Sequence, residues 1–245
     1  MLYLEDIGRY FLMLKKCFTK MTKPKVLRRL IFKEINEIII GALGICLFLA
    51  FFIGAVIAIQ TALNLSNPFI PKQLIGFASR QSVILEFAPT FISVVMAGKI
   101  GSFITSSIGT MRVTEQIDAL EVMGINALNY LVFPKIVTII FYPFVIGIAM
   151  FIGIFGAYFA SVYGGFLSHS EFITGLREEF IPFHLVYAFV KTIVFGFILI
   201  TVPAYHGFYM RGGALEVGKA NTTAFVWTTV LIVIFNYILT QVLLS

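Results

Sequence analysis

The chain has 245 residues, of which 59% are hydrophobic and 12% charged, with a formal net charge of +6 and a mean hydropathy of +0.97. Soluble domains carry about 25% charged residues, and a fold of this size cannot hide so much apolar surface from water, so the composition excludes a soluble protein and points to an integral membrane protein. Nine of the 18 Lys and Arg lie before residue 34, beside the first apolar run, where they suit anionic lipid head groups rather than nucleic acid.

Leu4, Ile7, Phe11, Leu14 and Phe18 recur at helical spacing, with Arg9, Lys15 and Lys16 lying elsewhere. This predicts an amphipathic helix over 2–18 lying in the membrane interface; packing of the same face on protein is the alternative. Thr22 and Pro24 break the pattern, and a second basic helix, about 25–36, leads into the membrane. The acidic start, with no apolar core before a small-residue cleavage site, argues against a removable signal peptide.

No charge occurs from Ile38 to Pro71, which predicts a first span at about 39–63. Asn64, Ser66, Asn67, Pro68 and Pro71 then predict a turn. The second span, about 83–108, contains Glu86 and Lys99. A second charge-free run, Ile136 to Ser170, predicts a third span at about 137–162, with Pro143 as a kink site. After a polar stretch holding Glu171, Arg177, Glu178, Glu179 and Pro182, two more spans fit at about 185–207 and 223–243. The predicted fold is all-α and integral to the membrane: interfacial helices over 1–36 and one transmembrane domain over 37–245 with five transmembrane helices.

With the N-terminus in the cytoplasm, fourteen of the eighteen basic residues fall inside, and Lys72, Arg80, Arg177 and Lys191 fall outside or near the outer boundary. The positive-inside rule therefore predicts a cytoplasmic N-terminus and, after five spans, a periplasmic C-terminus. Lys99 and Lys135 count as inner charges in that reading.

The loop between spans two and three reads GTMRVTEQIDALEVMGINALNYLVFPK. Thr114 suits a helix N-cap, Glu115 and Asp118 the first turns, and Gly124 a stop. A short helix over about 113–124 follows, with Glu115, Asp118 and Glu121 on an acidic flank and Val113, Ile117, Leu120 and Met123 on an apolar one. Such a helix can receive a partner or pack under its own bundle as a connector. Among other polar positions, Lys99 is either a cation on a lipid path or a lysine snorkelling to the inner boundary, the commoner outcome. Gln60 and Asn64 share a face one turn apart; they line a cavity or, more commonly, bond between helices. Glu86 is read as facing the outer interface or a partner. Gly41, Gly44, Gly54, Gly98 and Gly101 are read as close-packing positions. Cys17 and Cys46 have no metal-ligand spacing and no disulfide is inferred. His169, His184 and His206 are dispersed, so no metal site is expected, and no GxSxG or HExxH supports a hydrolase.

Near the C-terminus, GGALEVGKANTT is one residue short of a phosphate-binding P-loop. Ala220 stands where a hydroxyl must reach Mg²⁺, and the stretch follows a membrane helix rather than a strand, so no nucleotide site is expected.

GTMRVTEQIDALEVMG closely resembles the signature of the MlaE family, the permease subunits of ABC transporters that move phospholipids across the Gram-negative envelope. AGKIGS, YLVFPK and GGALEVGKANTTAFV extend the similarity over nearly the whole chain. The resemblance implies that the loop helix is a coupling helix for a separate cytoplasmic ATPase, with Glu115, Gln116, Asp118, Leu120 and Glu121 as contacts, and that ATP is bound there rather than by this chain. It further implies a bacterial inner-membrane location and a periplasmic lipid-binding partner. Five spans are few for a complete translocation path, which predicts a homodimer with a lipid cavity along its axis; Gln60, Asn64 and Lys99 are the candidate cavity positions. Many members have Glu where this chain has Ser107, and the hydroxyls after Lys219 are shifted to ANTT; neither position is assigned a role. A membrane scaffold that docks a partner without transport is the alternative, and a secondary transporter, which needs repeats and midplane ionisable pairs, ranks last.

Overall fold

The computed structural model describes residues 2–19, 22–65 and 71–244, with side chains from Glu5 onward. No strand occurs among them. In chain order the helices are α1 (Leu2–Cys17), α2 (Pro24–Asn64), α3 (Gln73–Val113), α4 (Gln116–Val122), α5 (Ala127–Tyr163), α6 (His169–Arg177), α7 (Phe183–Tyr209) and α8 (Ala214–Leu244). Five of them, α2, α3, α5, α7 and α8, are long and apolar enough to cross a membrane. The five spans match the sequence expectation. The predicted turn residues Ser66, Asn67 and Pro68, and the side chain of Leu4, lie outside the described residues.

Every span is longer than its apolar run. The basic helix expected at 25–36 is the first part of α2, and α3 starts at Gln73 rather than near 83. Lys135, expected in a connecting loop, is inside α5. Charge does not end a helix when the charge has a partner. The Lys135 ammonium sits 2.6 Å from a Glu34 carboxylate oxygen, with side-chain exposures of 4% and 13%. Arg80 donates to the carbonyls of Leu176 and Glu178 at 2.5 and 3.0 Å. Hydropathy windows stop at these residues because a window cannot see the partner.

Three spans depart from regular α geometry. Residues Ile35–Ile40 of α2, and Val83–Phe91 and Ala97–Gly101 of α3, are wound in wider π turns. In α5 a 3₁₀ turn covers Ile139–Phe141, and the Tyr142 N–H bonds the Ile139 carbonyl. Pro143 has no N–H to offer that carbonyl, so the tighter turn satisfies it locally. The irregularity expected at Pro143 takes this form.

The chain divides into two compact units. The first comprises Met1–Ala42, Val94–Tyr142 and Val194–Phe235; the second comprises Leu43–Ser93, Pro143–Ile193 and Asn236–Ser245. In the first, α1 buries Met13 and Cys17 while Ile7, Phe11, Leu12 and Phe18 stay exposed. Tyr10 meets the Thr201 hydroxyl at 2.7 Å and Tyr205 donates to Asp6 at 3.0 Å, pinning α1 to α7. The Thr105 hydroxyl donates to the Pro203 carbonyl at 3.1 Å, where α3 lies against α7. That close approach relies on Gly207, whose added Cβ would lie 2.9 Å from the Thr105 carbonyl oxygen.

In the second unit, Ala58, Ala62, Ile75, Ala157, Leu167 and Phe172 form a core. α6 opens with a capping box: Ser168 accepts from the Glu171 N–H, and Glu171 accepts from the Ser168 N–H at 2.7 Å. That backbone bond holds the Glu171 carboxyl below the usual carboxylate range. The backbones of α2 and α5 nearly touch: a Cβ built on Gly54 would lie 1.8 Å from the Gly153 carbonyl oxygen. Gly54 is thus a close-packing position as expected, whereas a Cβ on Gly44 meets nothing within 4 Å. Gly54→Ala should destabilise the protein by about 2 kcal/mol or more through overpacking, and Gly44→Ala should be neutral or stabilising. Thermal unfolding in detergent micelles distinguishes the two.

Candidate functional site

The hairpin between α3 and α5 carries the acidic residues singled out by sequence. The Thr114 hydroxyl donates backwards to the Thr110 carbonyl at 2.9 Å, so Thr114 finishes α3 instead of capping the next helix. Glu115 then adopts left-handed backbone geometry, φ +58°, which costs a non-glycine residue about 1–2 kcal/mol. The corner turns the chain sharply into α4. The helix is therefore Gln116–Val122, seven residues, shorter than the expected 113–124. Its stop is the expected one. Gly124 has φ +73°, its N–H bonds the Glu121 carbonyl at 2.9 Å, and the Ile125 N–H bonds Leu120 at 3.0 Å, the double closure of a Schellman cap.

Ile117 is buried and Leu120 half-buried, anchoring α4 to its own chain, while Glu115, Gln116, Asp118 and Glu121 are exposed. Arg112 at the end of α3 holds Asp118 at 2.7 Å. The Gln116 amide donates to the Thr114 hydroxyl at 3.0 Å. The Glu115 and Glu121 carboxylates make no ion pair or hydrogen bond among the described residues. Met123, predicted on the apolar flank, is 64% exposed, and Val122 beside it is 89% exposed. Periodicity placed Met123 on the apolar face of a longer helix. The early Schellman closure rotates it out with Val122, and the hairpin tip becomes apolar with acids around it. Sequence reading missed Val122, for which only the end of the helix gives the signal.

The hairpin is braced from behind by two asparagines that sequence reading did not single out. Asn126 caps α5, accepting from the Leu128 and Asn129 N–H groups at 3.1 and 3.3 Å. Its amide donates to the carbonyls of Lys16 and Thr19 at 2.9 and 2.7 Å. Asn129 is fully buried; it donates to the Cys17 carbonyl at 2.6 Å and accepts from the Thr22 N–H and hydroxyl at 2.9 and 2.8 Å. These bonds satisfy carbonyls at the end of α1, which helix geometry leaves open.

The remaining candidates lie apart from the hairpin. Lys99 occupies a π turn well inside α3 rather than its inner end, and its ammonium donates to the Gly41 carbonyl of α2. One helical turn further along α3, Ser102, Phe103, Ser106, Ser107 and Thr110 line an open groove of about 550 Å³. Ser107 thus adds a hydroxyl to that groove. Gln60 and Asn64 are exposed at the end of α2, belong to the second unit, and make no side-chain hydrogen bond among the described residues. Glu86, expected at an interface, accepts instead from Lys191 at 2.8 Å inside the second unit. The P-loop-like stretch is helical from Ala214 onward, with a Glu216–Lys219 pair at 2.7 Å. Only Gly212, at φ +116°, and Gly213 precede the helix as a turn, so Gly218 sits within a helical rod that offers no free N–H cradle.

Asn129→Ala leaves the Thr22 N–H and the Cys17 carbonyl without partners, and should cost about 2–4 kcal/mol in thermal unfolding, with the hairpin more accessible to protease. Burial pushes the Cys17 thiol up to about 12. It stays protonated near neutral pH, and since the thiolate is the nucleophile, maleimide should label it only after unfolding, as timed labelling followed by mass spectrometry would show.

A family profile described as Permease MlaE matches residues 31–242. The chain is 34% identical to a probable ABC transporter permease protein of Rickettsia bellii, over 97% of this chain and 92% of that protein. It is 29% identical to a probable ABC transporter permease protein of Synechocystis, over 97% and 90% respectively. It is 30% identical to the chloroplastic protein TRIGALACTOSYLDIACYLGLYCEROL 1 of Arabidopsis thaliana, over 82% of this chain and 57% of that protein. With five membrane-crossing helices and this profile, the chain belongs to the MlaE permease family and is a multi-pass permease subunit of an ABC transporter, which works with a partner ATPase.

Proposed function

We propose that this chain is the permease of a phospholipid transporter of a bacterial inner membrane, driven through the α4 hairpin by a separate ABC ATPase that binds the ATP. The observation that carries this reading is the hairpin itself. Its apolar tip, Val122 and Met123, is exposed and flanked by the unpaired acids Glu115 and Glu121. An apolar knob ringed by charge fits a groove on a partner, with the charge setting register and on-rate. Arg112 ties the hairpin to α3 and the Asn126 cap joins it to α5. A push on the tip is therefore delivered to two membrane spans with little slack.

The lipid part of the reading rests on the family and on chemistry. The Arabidopsis relative bears the name of a glycolipid, and the spans here expose apolar side chains that suit acyl chains. Gln60, Asn64 and Lys99 are the polar positions proposed to meet a head group. α8 buries only Ala224, Thr228 and Ile232, which leaves most of its surface for lipid or for a second copy; a homodimer enclosing the lipid path is the proposed assembly. A cytoplasmic N-terminus, a periplasmic C-terminus and a periplasmic lipid-binding partner complete it. In this topology the exposed Ile7 and Phe11 of α1, and Phe18 just after it, lie in the interface.

Glu115→Lys with Glu121→Lys, and separately Val122→Asp, should each reduce co-purification with the ATPase at least tenfold while the permease remains folded. Asp118 is left intact because it also holds Arg112. Unchanged co-purification sinks the coupling role. Reconstituted with its ATPase, the unmodified permease should move phospholipid between vesicles only with ATP; bound ATPase without lipid movement favours a scaffold.

A further inference from the structure

The second unit contains a polar cluster inside three membrane spans, and neither the docking hairpin nor the lipid path uses it. Glu86 of α3 is its centre. One carboxylate oxygen accepts from Lys191 of α7 at 2.8 Å and, more distantly, from the Tyr187 and Thr240 hydroxyls at 3.4 Å. The other accepts from Thr90 at 3.1 Å and from the Asn236 amide of α8 at 3.2 Å. Tyr187 and Thr240 bond each other at 2.8 Å. The Lys191 side chain is fully buried, whereas that of Glu86 is 40% exposed.

Each detail follows from the cost of charge in hydrocarbon. An isolated buried ammonium is expensive, and so is a carboxylate without donors. Together they are neutral, and the Asn236 amide adds a further donor to the carboxylate. The backbone adds a second demand. Glu86 lies in the π-wound segment Val83–Phe91, which contains Pro89. Pro89 carries no N–H, so the turn before it is short of a donor. Lys191 also donates to the Leu85 carbonyl, at 3.1 Å. One lysine thus neutralises Glu86 and satisfies the backbone of the π segment, fixing the rotational setting of α3 against α7 and α8. A run of nine π-wound residues is unusual, and such turns recur at functional positions.

We propose that Glu86 and Lys191 are positioning residues that anchor α3 for transport. The same helix ends in Arg112, which grips the docking hairpin. α3 is therefore held at one end by the ATPase-facing hairpin and nearer the other by this ion pair. An anchored helix converts a push into movement of the spans; an unanchored one yields without moving cargo. The requirement is the joint neutrality of the pair rather than either charge. This rests on the transport reading above.

The test uses the permease–ATPase complex in proteoliposomes of phosphatidylethanolamine and phosphatidylglycerol, reading phospholipid transferred, ATP hydrolysed and the thermal midpoint. Glu86→Gln and Lys191→Met, both close in shape to the originals, should each lower lipid moved per ATP at least fivefold, with ATPase binding retained and hydrolysis within twofold. The double variant should recover to within twofold of the unmodified protein, and Lys191→Arg should keep the ratio. The proposal is overturned if the single variants transport normally, if the double variant is as impaired as the worse single one, or if transfer and hydrolysis fall in parallel with the midpoint, the signature of a merely structural pair. Should the single variants not fold, recovery of folding and transfer in the double variant supports the joint-neutrality requirement, and its failure overturns it. If the unmodified complex moves no lipid, the phospholipid reading falls, and the pair is judged on midpoints: lowered in each single variant and restored in the double, or the proposal fails.

Discussion

Hydrocarbon offers no hydrogen bonds, so every polar group carried into a membrane must find its partner within the protein. Both units bury opposite charges in the same way. In the first, Glu34 and Lys135 form a nearly inaccessible pair, with the Phe103 ring 5.6 Å from the ammonium. In the second, a fully buried Lys191 pairs with Glu86, whose side chain is 40% exposed. Each pair joins helices far apart in sequence, so helix association and charge burial are a single event. Removing one partner of such a pair leaves a buried charge, which is far more damaging than removing both.

The same constraint accounts for the irregular helices. Proline inside a span withholds a backbone N–H, and a donor comes from the same helix or from a neighbouring one. At Pro143 a 3₁₀ turn recruits the Tyr142 N–H; near Pro89 a lysine from another helix donates to Leu85. Lys99, in the second π stretch of α3, likewise donates to a backbone carbonyl of α2. The charges in these spans thus serve as backbone donors as well as ions. They are fixed in place by the bonds they supply.

At the hairpin, water is the solvent and different rules apply. Exposed acids there are inexpensive, and shape comes from local backbone closure: the Thr114 back-bond, the left-handed Glu115, the Schellman cap at Gly124 and the Asn126 cap. Four successive local devices make a rigid, protruding element out of few residues. Such rigidity is what force transfer from a partner needs, because ordering a loose loop on contact would dissipate binding free energy.

Composition, charge-free runs and one long motif were enough to give the five-span all-α class and the family, because apolar length and local motifs are properties of sequence neighbours. Gly124 as the stop of α4 was legible for the same reason. Helix ends were not, since Arg80 and Lys135 continue inside spans only by virtue of partners distant in sequence. Nor was Lys191, a lone lysine in an apolar run, recognisable as the counter-ion of Glu86; nothing within one helix links them. Thr114 suited a cap by residue type, and tertiary geometry turned its hydroxyl the other way. The sequence by itself determined which segments are long and apolar enough to cross a membrane and which family the chain belongs to. Only the tertiary structure decided which charges pair, because a buried charge is tolerable solely where the fold brings its opposite within hydrogen-bond reach.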